Sequence, residues 1–201
     1  ITTSNGSYNL NLFNEESFPT LSFDNQNWLN FELTNELIKK ISTHILPCVT
    51  KTNDPTRVYN GISIKTNEYT QQIEIIGTDG HHLAYLKQSF NGPKFDIIIS
   101  LETLNFLEKI IKGVKTKFYL NNQKMIIEVE DNLFLCKLIE GKFRSMDKAL
   151  NQKYPNHFII NKKEFENIIN ISMILANNEK RPTINLEIKK NQININTINH
   201  S

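Results

Sequence analysis

Ile97-Ile98-Ile99-Ser100-Leu101-Glu102-Thr103-Leu104-Asn105-Phe106-Leu107-Glu108-Lys109-Ile110-Ile111 passes from an extended run to an amphipathic helix at a single serine. Three β-branched residues favour a pleated backbone. The Ser100 hydroxyl can accept from the free amides of a first helical turn. Leu104, Leu107, Ile110 and Ile111 then share one helical face. Strand, cap and helix succeed one another with no loop between them. The same order recurs upstream in Phe31-Glu32-Leu33-Thr34, followed by Leu37, Ile38, Ile41 and Ile45. It recurs downstream in Phe158-Ile159-Ile160-Asn161, followed by Phe165, Ile168, Ile169, Ser172 and Leu175. The spacing predicts three helices capped at residues 34, 100 and 161, each burying one side.

The segments behind each helix repeat as well. After the first come alternating segments Gly61 to Thr66, Gln72 to Ile76 and His82 to Lys87, parted by Asn67-Glu68 and Thr78-Asp79-Gly80. After the second come Lys117 to Leu120, Lys124 to Glu130 and Leu133 to Ile139, parted by Asn121-Asn122 and Asp131-Asn132. Asn, Asp and Gly favour turns, so each set reads as three antiparallel strands. After the third helix only Thr183 to Ile188 and Gln192 to Ile198 remain, while Ser7 to Phe13 reads as the last strand of an earlier unit. One helix on one small sheet cannot bury both apolar faces, so paired units in two layers are expected. This gives an α+β chain with a complete pair at 29–151 and pieces of neighbouring pairs at 1–28 and 152–201. A start at Ile1 and a stop inside an alternating run read as cuts at both ends.

With 201 residues, 39% of them hydrophobic, and a mean hydropathy of −0.39, the chain has material for a core, which argues against disorder. The formal charge of +2 is too near neutral to announce a nucleic acid or a membrane by itself. Its distribution says more. Residues 1–36 hold Glu15, Glu16, Asp24, Glu32 and Glu36 and no base, so every Lys and Arg lies beyond residue 36. No apolar run reaches the roughly 18 residues of a membrane span, and a basic-then-apolar leader pattern is missing, so an intracellular, cytoplasmic protein is expected. Cys48 and Cys136 stand far apart without a second Cys or His at ligand spacing, and read as two reduced, buried thiols.

Four strings, in order and in register with the repeat, carry a family resemblance: Phe18-Pro19; Thr56-Arg57 followed by Asn60-Gly61; Thr78-Asp79-Gly80-His81-His82-Leu83-Ala84; and Lys137-Leu138-Ile139-Glu140-Gly141-Lys142-Phe143. The third resembles that family's Thr-Asp-Gly-His-Arg-Leu-Ala. Over nearly its whole length the chain resembles the bacterial DNA polymerase III beta subunits, the sliding clamps. The resemblance implies a DNA clamp fold, with helices on the inner face and antiparallel sheets outside. It also implies a head-to-tail homodimer ring of three-domain chains around double-stranded DNA. Such a ring tethers the DNA polymerase III catalytic subunit and the clamp loader, catalyses nothing and needs no cofactor or metal. Residues 1–28, 29–151 and 152–201 then correspond to the end of a first domain, a whole second domain and the start of a third.

The resemblance also assigns site residues by position. Arg57, Val58, Tyr59, Thr78, Gly80, His81, His82, Leu83, Arg144 and Ala149 match a groove for extended partner peptides. Lys39, Lys40, Lys51, Lys109 and Lys112 match the DNA channel. His82 stands where the family commonly has Arg, Arg144 where Pro is usual, and the stretch from Arg57 to Asn60 is one residue shorter. Two other readings use the same residues. One is a clamp-fold adaptor that binds partner peptides without encircling DNA. The other is a metal-dependent hydrolase built on Asp79, His81 and His82, since carboxylate and imidazole are the usual ligands and bases. Neighbouring side chains on an extended segment point opposite ways, which argues against a shared ion. Asp79 and Gly80 are expected to serve the turn, as an Asx acceptor and a positive-φ residue.

Overall fold

A computed structural model describes residues 2–9, 28–51, 58–111, 113, 116–176, 183–189 and 192–197. Arg57 and Lys112 lie outside them, as do Phe18-Pro19 and most of the expected Ser7 to Phe13 strand. The chain divides into two compact units, residues 1–144 and 145–201. The short helix just beyond Arg144 is closed by Leu150 N–H to Met146 O and Asn151 N–H to Asp147 O.

In the first unit the three-part pattern is present twice. Ahead of it, β1 (Thr2–Thr3) and β2 (Gly6–Ser7) make a small exposed hairpin. Strand β3 (Leu29–Glu32) leads into α1 (Asn35–Lys40), whose Leu37 amide donates to Thr34 Oγ1 at 3.2 Å. Strands β4 (Gly61–Asn67), β5 (Gln72–Thr78) and β6 (Leu83–Ser89) come next. Strand β7 (Asp96–Ser100) leads into α2 (Leu101–Ile110), where the Thr103 amide donates to Ser100 Oγ at 3.1 Å. Then come β8 (Thr116–Leu120), β9 (Lys124–Val129) and β10 (Asn132–Lys137).

The repeats are not self-contained. The two four-stranded sheets have the orders β10-β9-β8-β3 and β6-β5-β4-β7, with the pairings between neighbours antiparallel. Each pre-helix strand therefore pairs with the strands that come after the other helix. The helix carries the chain from one layer to the other, so the strand before it and the strands after it cannot share a sheet. One hydrophobic core spans both sheets and both helices, with Leu37, Ile45, Ile62, Ile73, Ile75, Phe118, Met125 and Ile127 almost wholly buried.

Aromatic rings tie the exchange together. Phe31 on β3 stands opposite Phe118 on β8, with ring centroids 5.4 Å apart. Phe31 also stacks at 4.5 Å on Phe95, which leads into β7 of the other sheet. Phe90 meets the edges of Phe31 and Phe95 at 6.3 and 6.0 Å. Glycine at 61 is required by close approach, because a Cβ there would strike the Ile99 carbonyl where β4 crosses to β7.

The first helix departs from a plain α-helix. Beyond Lys40 it widens into a π-turn, Ile41–Ile45, in which the Leu46 amide reaches Ile41 O, and then tightens into a 3₁₀ turn, Leu46–Cys48. Pro47 has no amide to donate and its ring would clash with the preceding turn, so a regular helix cannot continue through it. The predicted face of Leu37, Ile38, Ile41 and Ile45 is buried nonetheless. Both thiols are half-buried and unbridged, and burial pushes Cys136 up from its ordinary pKa.

The second unit holds α3 (Asp147–Leu150), α4 (Lys162–Ala176) and the antiparallel hairpin β11 (Ile184–Lys189) and β12 (Gln192–Thr197). Asn161 Oδ1 caps α4 by accepting from the Lys163 and Glu164 amides at 3.0 and 3.2 Å. The expected strand before it is absent: Phe158–Ile160 has no ladder partner among the described residues, and Ile159 is 97% exposed. The inner face of α4 keeps Phe165, Ile169 and Ser172 of the expected set and departs from it at Ile168 and Leu175. Ser172 and Ala176 are buried, whereas Ile168 and Leu175 face solvent with Ile171 and Ile174. In the first unit each helix gains cover from a second repeat, and the described residues of this unit contain a single helix-and-hairpin set.

Phe118→Ala should therefore cost about 3–5 kcal/mol in urea denaturation, the usual penalty for emptying a fully buried aromatic site. Phe31→Ala should cost a similar amount although Phe31 lies on an edge strand, because its ring contacts reach into both sheets. A loss below about 1 kcal/mol at Phe31 would show that the exchanged strand is not held by its aromatic anchor.

Candidate peptide groove and basic helix face

The turn between β5 and β6 holds Thr78, Gly80, His81, His82 and Leu83, half of the expected groove residues. Asp79 Oδ1 accepts from the His81 and His82 amides at 2.9 and 2.6 Å, and Asp79 Oδ2 lies 2.9 Å from His82 Nδ1. Thr78 Oγ1 donates to the His82 carbonyl at 2.6 Å and accepts from the Gly80 amide at 3.1 Å. Gly80 has φ +87°, a conformation that a side chain would strain. The Asx turn and the positive-φ glycine expected from the sequence are thus present. The expected strand start at His82 is not, because both histidine amides turn inward to one carboxylate and β6 begins at Leu83.

This bonding sets the electrostatics. Hydrogen bonds from the His82 ring and from the two histidine amides hold the Asp79 carboxyl far below the usual carboxylate range. Thr78 is 4% exposed and its hydroxyl is used within the turn, so it supports the turn rather than presenting itself to a partner. His81, His82 and Leu83 are exposed. No group of three or more His, Cys, Asp or Glu side chains is arranged to hold a metal ion among the described residues.

A second cluster joins the segments before β4 and after β10. Tyr59 meets Phe143 edge-on at 5.6 Å, and a Cβ added at Gly141 would come within 2.9 Å of Val58 Cγ1. Val58 and Tyr59 are half-buried, while Arg144 is exposed at the end of the first unit. Ala149 is exposed on α3 of the second unit.

The basic candidates lie on solvent-facing backbone. Lys39 is exposed on α1, next to the buried Leu37, Ile38 and Ile41. Lys40 pairs with Glu36 at 2.7 Å. Lys109 is exposed near the end of α2. Lys51 lines an open cleft of about 610 Å³ with Glu102, Lys137 and Glu140, beside the start of α2. In this cleft's wall, Thr50 Oγ1 and Asn60 Oδ1 are enclosed with no hydrogen-bond partner among the described residues.

The outer sheet faces carry a charge pattern that no sequence motif marks. Across β7, β4, β5 and β6 the register runs Asp96, Lys65, Glu74, Lys87; across β3, β8, β9 and β10 it runs Glu32, Lys117, Glu128, Leu133. Glu74 and Lys87 pair at 2.9 Å, as do Glu128 and Lys117. The Tyr119 hydroxyl donates to Glu128 Oε2 at 2.6 Å, and with Lys117 it holds the Glu128 carboxyl below its ordinary value. Only the strand order aligns these charges, which are scattered along the chain.

Residues 29–145 match the family described as DNA polymerase III beta subunit, central domain. The chain belongs to that family. The beta sliding clamp of Helicobacter pylori is 26% identical over 190 residues, covering 92% of this chain and 49% of that protein. The beta sliding clamp of Bacillus subtilis is 20% identical over 187 residues, covering 90% of this chain and 48% of that protein. The chain thus spans about half the length of these curated relatives. Among solved structures, a putative DNA polymerase III beta subunit from Eubacterium rectale superposes with a TM-score of 0.79 at 18% identity, over 92% of this chain and 51% of that one. A Helicobacter pylori beta clamp bound to a DNA ligase peptide superposes with a TM-score of 0.73 at 20% identity, over 92% of this chain and 53% of that one. The DNA clamp fold is therefore the fold of this chain.

The depressed Asp79 carboxyl makes the turn sensitive to acid. A carboxyl whose pKa is lowered on folding contributes stability above the unfolded value near 4, and loses it as pH falls through the range below. The turn should therefore stay intact from pH 8 down to about 4 and loosen only in more acidic solution. Hydrogen exchange at the His81 and His82 amides measures this: slow exchange in the parent chain, and at least tenfold faster exchange in Asp79→Ala. Equal rates in the two proteins would show that the carboxylate does not hold the turn.

Proposed function

We propose that this chain is the central portion of a sliding clamp, a non-catalytic processivity factor that encircles duplex DNA and tethers the replicative polymerase. The observation that carries the reading is the match of residues 29–145 to the family's central domain on a fold in which two helices back two exchanged sheets. In this reading residues 1–28 end a first domain, 29–151 form the second and 152–201 begin the third. The full-length protein closes as a head-to-tail homodimer in the bacterial cytoplasm. Its partners are double-stranded DNA, the DNA polymerase III catalytic subunit and the clamp loader. Holding DNA by encirclement needs only enough positive potential to tolerate phosphates without fixing a position on them. In this reading the candidates for that potential are Lys39, exposed on α1, the half-buried Lys40 beside it, and Lys51, Lys109 and Lys112.

In this reading the groove for partner peptides centres on His81, His82 and Leu83, with Val58, Tyr59 and Arg144 as further candidates in the same unit and Thr78 and Gly80 shaping the turn beneath it. Affinity in such grooves comes from a few desolvated apolar anchors, and Leu83 is the exposed aliphatic group of the turn. His82 does not offer the planar fork of an Arg, and Arg144 adds a long side chain that must be ordered on binding. A DNA-ligase peptide, the kind of partner bound by the Helicobacter pylori clamp, should therefore bind weakly, with Kd on the order of 100 μM. In calorimetric titrations Leu83→Ala should weaken it further by about tenfold and His82→Arg should tighten it. Submicromolar binding by the parent chain, or indifference to Leu83→Ala, would remove the groove from this reading. For DNA, weak and salt-sensitive binding of a duplex is expected in fluorescence anisotropy, and Lys39→Glu combined with Lys40→Glu should abolish it. Unchanged binding would remove the helix from the channel.

A further inference from the structure

The two helices of the first unit differ at one matched position. Each has an acidic residue two positions past its cap: Glu36 after Thr34 and Glu102 after Ser100. Four residues on, the first repeat has Lys40 and the second has Phe106. Residues four apart meet on one helix face, and a Glu N-terminal to a Lys is the favourable order. On α1 this contact is made, with Lys40 Nζ 2.7 Å from Glu36 Oε1. Phe106 on α2 instead packs edge-on against Phe134 at 4.9 Å. Lys39, one residue along, makes no ion pair with a described residue and is exposed. Glu36 is 76% exposed and Lys40 40%, so the pair stands in solvent. Its effect on Glu36 is to hold the carboxyl below its ordinary value, first through the Lys40 hydrogen bond.

We infer that Glu36 tethers Lys40 and withholds it from DNA, so that α1 presents one mobile cation, Lys39, where its sequence shows two. A phosphate approaching Lys40 must displace a carboxylate already in place, and the exchange leaves little net gain. Each lysine freely contacting a phosphate contributes about 0.9 to the slope of log K against log salt, through release of a condensed counterion. Lys39 contributes to that slope and Lys40 does not. Glu36 is thus a positioning residue that weakens the grip of the channel on DNA, in keeping with a ring that must slide. This inference rests on the DNA-channel reading of α1 and adds to it which lysine carries the contact.

The test uses the 201-residue chain and a fluorescein-labelled duplex, with anisotropy followed from about 20 to 150 mM salt. Glu36→Gln keeps side-chain length and helix propensity while removing the charge. It should tighten binding about threefold at the lowest salt and steepen the slope by about 0.9, one further phosphate. Lys40→Gln alone should leave the slope unchanged, Lys39→Gln should flatten it by about 0.9, and Lys40→Gln placed on Glu36→Gln should return the slope to the parent value. Circular dichroism melts check that every variant remains folded. The inference is overturned if Glu36→Gln leaves the slope unchanged, or if it tightens binding equally with and without Lys40, which marks a general field effect. It is also overturned if Lys40→Gln alone flattens the slope as Lys39→Gln does. Failure of the channel reading looks different: neither lysine substitution then alters the slope in any background.

Discussion

The exchange of β3 and β7 between sheets is the constraint on which the rest of the first unit depends. A three-stranded sheet backed by one helix has an open edge and too little cover for its inner face. Each repeat supplies the fourth strand of the other, and the step from strand through cap to helix carries the chain across the core. This is why the caps at Thr34 and Ser100 matter beyond their own hydrogen bonds: they fix the point at which the chain leaves one layer for the other. Phe31 and Phe95 stand at the two crossings and stack on each other. The resulting single core holds both helices with their polar sides outward, and so determines where Lys39 and Lys40 stand.

The β5–β6 turn inherits its precision from the same core. Gly77 lies against Ile45 and Val49, where a Cβ would come within 2.7 Å of Ile45 Cγ2, so the end of β5 is seated on the turns just beyond α1. From that seat Thr78 and Asp79 satisfy the backbone of the next residues almost entirely from their own side chains. His81, His82 and Leu83 are left to face outward on a backbone that has little freedom to move. A surface made this way has a fixed backbone and can vary in the side chains it displays.

Local signals in the sequence hold except at Phe158–Ile160, which forms no strand, and at His82, which lies in the turn, and non-local ones are silent. The caps at 34, 100 and 161, the strand alternation of the first unit and the Asx turn at Asp79 all rest on interactions within a few residues, and each is found where its pattern stands. The strand exchange has no such signal, because alternation says which face of a strand is apolar and not which strand lies beside it. The π-turn at Ile41–Ile45 is hidden because its apolar positions still fall on one face, although Pro47 marks the end. Tyr59 against Phe143 joins segments far apart in the chain, and no spacing rule brings them together. The charge order on the outer faces, from Asp96 through Lys65 and Glu74 to Lys87, becomes visible only once the register is known. For α4, a helical period cannot say which side a second helix would cover.

The exchanged strands also set an order of events during synthesis. β3 leaves the ribosome early, yet its ladder partner is β8, so Leu29 to Glu32 must wait until Lys117 to Leu120 has emerged. Early in that interval the first helix and the β4–β6 meander are available while their sheet still lacks β7; β7 emerges before β8, and β3 is then the strand left without its partner. Contacts so distant in sequence are slow to form, and an unpaired apolar strand is a template for the wrong neighbour. A chain halted between β7 and β8 leaves β3 without its ladder partner and cannot close the core that the two repeats share.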